Sequence, residues 1–83
     1  VKSYDAGPTD TPILEETIGE NFERTVRRNP EAEALVDVAT DCRWTYGELN
    51  ADVDHVGRGL MALGIEAGER VGIWAPNCAE WTI

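Results

Sequence analysis

From Tyr46 onward the apolar positions Leu49, Val53, Val56, Leu60 and Leu63 are spaced alternately by four and three. That spacing lays one stripe along an α-helix, and Asp54 and Arg58 fall together on the opposite face. The start of the helix is set by Thr45, an N-cap residue with Glu48 three positions on, the pair that makes a capping box. Its stop is Gly64, suited to the left-handed conformation that closes a helix, with Ile65 following as the apolar residue of a Schellman-type cap. The pattern predicts a helix from Tyr46 to Leu63.

The same grammar occurs once earlier. Thr17-Ile18-Gly19-Glu20 is a second capping box, and Ile18, Phe22 and Val26 recur every four residues on one face of a helix ending near Arg28. Glu20 with Arg24, and Glu23 with Arg27, have the favourable order for i,i+4 ion pairs. Asn29-Pro30 stops this helix. Between the two helices, Glu33 to Val38 holds Ala34, Leu35, Val36 and Val38 in a run of strand length, and Cys42 to Thr45 resumes extended character after Ala39-Thr40-Asp41. The two predict a hairpin with a short loop. Trp44, just before the N-cap, is placed to pack on the first turn of the long helix as a hydrophobic staple.

Beyond Gly64, Glu66-Ala67-Gly68 is a turn, and Glu69-Arg70 leads into Val71-Gly72-Ile73-Trp74-Ala75. Neither alternating set in that run carries a charge, so it reads as a strand covered on both faces, as in the interior of a parallel sheet. Pro76-Asn77 ends it, and Cys78-Ala79-Glu80-Trp81-Thr82-Ile83 begins another helix. Before Thr17, Gly7, Pro8 and Pro12 among Thr and Asp predict an extended leader over residues 1–16. The expected organisation is therefore this leader followed by an α/β unit over 17–83, comprising a helix, a hairpin, a long helix and a buried strand. An interior strand needs neighbours on both sides and this chain supplies at most the hairpin, so the sheet is expected to be incomplete. The chain reads as the front part of a larger α/β protein, unfolded or molten when alone.

Composition narrows the partners. At 42% hydrophobic and 28% charged the chain is of globular type. Sixteen acidic against seven basic residues leave a formal charge of -9, which repels nucleic-acid backbones and anionic lipid. No apolar run approaches the roughly 18 residues of a membrane span, and no basic-then-apolar leader opens the sequence, so the cytoplasm is the expected compartment. Cys42 and Cys78 lie far apart with no C-x-x-C partner, which reads as two reduced, space-filling thiols.

Few stretches suggest chemistry. Gly57-Arg58-Gly59-Leu60-Met61-Ala62 fits the dinucleotide fingerprint in letters, but that fingerprint opens a helix after a strand, whereas here it lies inside one. Gly57 and Gly59 instead suggest close approach of a neighbouring element. Arg24, Arg27 and Arg28 suit the carboxyl end of a helix dipole better than an anion site. His55, the single histidine, lies off the apolar stripe and is expected in solvent. Asp52 and Asp54 are too loosely placed for a general acid and base. The Pro76-Asn77 turn has some promise, since ligands of open α/β sheets bind outside the carboxyl ends of strands, although Asn77 could simply cap the next helix.

Thr45-Tyr46-Gly47-Glu48-Leu49 resembles the first core motif of the adenylate-forming synthetases, the superfamily of acyl-CoA synthetases, luciferases and peptide-synthetase adenylation domains. Leu60-Met61-Ala62-Leu63-Gly64-Ile65 with Gly68-Glu69-Arg70-Val71-Gly72-Ile73, and Pro76-Asn77 with Glu80-Trp81, match in order. Gly7-Pro8 and Thr11 to Gly19 are similar to the start of bacterial medium- and long-chain fatty-acyl-CoA ligases. Glu69 stands where Asp is commoner. The resemblance implies the N-terminal part of the large domain of an enzyme that activates a fatty acid with ATP and Mg and transfers the acyl group to coenzyme A. It also implies that the phosphate loop, the adenine and ribose contacts and the catalytic lysine lie downstream of Ile83. No catalytic, cofactor-binding or metal-binding residue is thus carried onto this chain, which alone is expected to bind no cofactor and to be inactive, its partner being the rest of the polypeptide. The alternatives are a non-catalytic acidic protein-interaction module and an adenylation domain serving a carrier protein.

Overall fold

The computed structural model describes residues 3–83; Val1 and Lys2 of the leader lie outside them. The order of elements is α1 (Ile18–Arg28), β1 (Glu33–Asp37), β2 (Cys42–Thr45), α2 (Tyr46–Ala62) and α3 (Ala79–Thr82). Residues 3–16 contain no helix or strand. Both predicted capping boxes are present in full. The Glu20 N–H donates to Thr17 Oγ1 at 3.1 Å and the Thr17 N–H to Glu20 Oε2 at 3.0 Å. At α2 the Glu48 N–H donates to Thr45 Oγ1 at 3.2 Å and the Thr45 N–H to Glu48 Oε1 at 3.0 Å.

Termination is as local as initiation. The Ile65 N–H donates to the Leu60 carbonyl and the Gly64 N–H to the Met61 carbonyl, with Gly64 at φ 87°. This is the Schellman pair of bonds, with glycine in the left-handed position that would strain a side chain. At α1 the Asn29 N–H reaches Thr25 O, and Pro30, lacking an N–H, ends the ladder.

β1 and β2 pair antiparallel, Leu35 opposite Trp44, Val36 opposite Arg43 and Asp37 opposite Cys42, with an irregularity between Glu33 and Leu35. The strand ends at Asp37 rather than Val38, because the Asp37 carboxylate turns the chain by accepting the Ala39 N–H at 3.2 Å. Asp41 supplies the left-handed residue of the loop, φ 54°, a conformation that aspartate tolerates better than most residues. Arg43 holds both oxygens of Glu33 across the hairpin, at 3.0 and 3.1 Å.

The structure corrects several expectations. The run Val71–Ala75 belongs to no sheet and is exposed, Trp74 wholly so. Its uncharged faces suit an interior strand, but the hairpin is the sheet of the described residues and gives this run no partner. Ile18 is 91% exposed although it continues the Phe22 and Val26 face; α1 and α2 meet one turn beyond Ile18, through Phe22, whose ring centroid lies 6.4 Å from that of Tyr46. Among the described residues neither expected i,i+4 pair forms: Glu23 and Arg27 make no ion pair, and the Glu20 carboxylate is taken by the Thr17 N–H, while Arg24 instead meets Glu16, which also accepts from Asn21 at 2.9 Å. α3 is capped by Cys78, without a side-chain bond, and not by Asn77.

Burial is sparse. Among the described residues only Leu49 and Ala79 fall into the core, at 8% and 4% exposure. The radius of gyration is 17.2 Å, against about 12 Å for a compact domain of this length. The folded centre is the place where α1, the hairpin and the start of α2 meet.

Candidate functional site

The residues that carried the family resemblance form that junction. A helix begins with backbone N–H groups that have no partner inside the helix. In α2 the Tyr46 N–H donates to the Ala32 carbonyl and the Gly47 N–H to the Pro30 carbonyl, both at 2.9 Å. The Glu48 N–H is taken by Thr45. The segment after α1 therefore plugs the amino end of α2.

Each position of Thr45-Tyr46-Gly47-Glu48-Leu49 has an identifiable task. Thr45 and Glu48 cap, Tyr46 packs toward Phe22, and Leu49 is buried. Gly47 leaves room: a Cβ there would lie 3.3 Å from the Pro30 carbonyl oxygen, tighter than ordinary contact. The Glu48 carboxyl is held below its ordinary value by the Thr45 backbone N–H it accepts and, secondarily, by the Thr45 side chain. These bonds favour the ionised form. The arrangement is mechanical, and its donors are spent on the chain itself.

The other candidates stay apart. Gly57 and Gly59 face open space, so no element approaches them among the described residues. His55 is exposed, as its position off the stripe predicted. Asp52 has a partner that sequence reading missed: it accepts the Trp44 indole N–H at 2.9 Å. Trp44 thus reaches along the first two turns of α2. Cys42 is exposed and Cys78 half-buried, and both are free thiols.

The Pro76-Asn77 turn leads into a cleft of about 240 Å³ between β1 and α3, bordered by Val36, Asp37, Asn77, Cys78 and Thr82. The Asp37 carboxylate there is engaged by the Ala39 N–H. A second, more apolar groove of about 310 Å³ runs between α1 and α2, with Thr82 and Ile83 also on its border. Among the described residues no group of three or more His, Cys, Asp or Glu could hold a metal ion, and no buried side-chain polar atom lacks a partner. No helix among them is long and apolar enough to cross a membrane.

Glu69, the departure from the resembling pattern, also has a structural task. Its carboxylate accepts the Glu66 N–H at 3.1 Å, and its own N–H returns to the Glu66 carbonyl at 3.2 Å. The turn containing Gly68, φ 88°, is closed by this reciprocal pair.

A junction built from this motif, with the hairpin, cap and long helix in this order, coincides with a sequence match to the AMP-binding enzyme family over residues 22–83. The chain belongs to that family. It is similar, at 40% identity over 98% of its length, to the mitochondrial medium-chain acyl-CoA ligase ACSF2 of Macaca fascicularis. It is likewise similar to the acyl-CoA ligase SID4 of Ajellomyces capsulatus, 44% identical over 90% of this chain, and to the acyl-CoA ligase sidI of Aspergillus fumigatus, 41% identical over 90%. The chain spans 13% of the length of each of these relatives. No solved structure matches it.

Proposed function

We propose that this chain is the N-terminal section of the large domain of a fatty-acyl-CoA ligase, and that it serves that enzyme as scaffold. The reaction would proceed in two steps. A fatty-acid carboxylate attacks the α-phosphorus of ATP, giving acyl-adenylate and pyrophosphate; the thiolate of coenzyme A then displaces AMP to give the acyl-CoA. The intermediate is chemically necessary because a carboxylate oxygen leaves poorly, whereas AMP leaves well. The observation that carries this reading is the 40% identity, sustained over 98% of the chain, with a protein named as a medium-chain acyl-CoA ligase.

The residues present do not fit ATP. Phosphate groups favour helix N-termini with free N–H groups, but the amino end of α2 is plugged by Pro30 and Ala32, and that of α1 is flanked by the carboxylates of Glu16 and Glu20. Binding of ATP, Mg and coenzyme A, and the choice of acid, are accordingly assigned to residues outside this chain. With ATP, Mg, coenzyme A and a fatty acid, the 83-residue chain should release no pyrophosphate, and the parent ligase should release it only when the acid is present. Release by the 83-residue chain would refute the scaffold assignment, and release from the parent without dependence on any acid would refute the ligase reading.

A further inference from the structure

We draw no further inference here: the strongest candidate, the apolar groove of about 310 Å³ between α1 and α2 that Ile18, Phe22, Leu49, Val53 and Ile83 line, carries none, because nothing in the structure shows what covers it.

Discussion

The two ends of α2 are equally well finished and very differently surrounded. At the amino end, Thr45 and Glu48 cap each other, two carbonyls from the preceding segment take the next N–H groups, and Leu49 is 8% exposed. The carboxyl end has a complete Schellman cap at Gly64, yet Leu63 is 79% exposed and Met61 is exposed with it. Backbone satisfaction is thus a local property that a few neighbouring residues can secure. Burial is not local, and along α2 it arises where α1 and the hairpin reach the helix.

The largest expected effect concerns the chain as a whole. A core consisting of Leu49 and Ala79 is too small to offset the ordering of the backbone around it. The 83-residue chain in isolation should therefore show no cooperative thermal transition by circular dichroism, and its amide resonances should be poorly dispersed. A sharp transition would mean that the carboxyl end of α2 has cover that this account denies it.

The next effects separate residues at the amino end, and they are best read as unfolding free energies in the proposed parent ligase. Leu49→Ala deletes a buried side chain and should cost about 2–5 kcal/mol. Thr45→Ala removes the cap and should cost on the order of 1 kcal/mol. Gly47→Ala is diagnostic in sign. Helix propensity alone favours alanine by about 0.8–1 kcal/mol, but the added Cβ would meet the Pro30 carbonyl at 3.3 Å. That oxygen is backbone and already accepts the Gly47 N–H, so the substitution should yield no gain in stability. A gain near the full propensity value would show that the plug is loose.

The smallest effect is a pH dependence. Because the Glu48 carboxyl is depressed below its ordinary value of 4.5 in the folded chain, its stabilisation is fully present above that value. It is lost as the pH falls through the lower folded value. The stability difference between the proposed parent ligase and its Glu48→Ala variant should hold constant near neutrality and narrow as the pH drops below about 4.5. A difference that persists unchanged into strong acid would mean that ionised Glu48 is not the capping species.

What could be read from the sequence follows the same division. Both capping boxes, the Schellman stop and the hairpin depend on residues a few positions apart, and all formed as their patterns predicted. The errors came from competition or from distance. Glu20 had two possible partners, and the Thr17 N–H prevailed over Arg24. Trp44 lies along α2 as its place before the N-cap predicts, but its indole N–H adds a bond to Asp52 that the apolar pattern does not reveal. Val71–Ala75 has the composition of a buried strand, but pairing requires strands that these residues do not contain.

The plug formed by Pro30 and Ala32 was missed entirely, although a signal existed. Gly47 stands in the first turn of a helix, where most residues would favour the helix more, and such a glycine points to close backbone approach. The candidate chemistry was legible only through resemblance, because every residue of the matching motif is engaged in holding α1, the hairpin and α2 together. Sequence similarity therefore identified the family while the geometry assigned these residues to support.

The most direct test of that assignment is the turnover of the Thr45→Ala variant of the proposed parent ligase, normalised to the folded fraction at a temperature where both proteins are largely folded. If the motif is a structural junction, the variant melts earlier and its turnover per folded molecule equals that of the unmodified enzyme. A large loss of turnover at unchanged stability would contradict the account and place the motif in the chemistry.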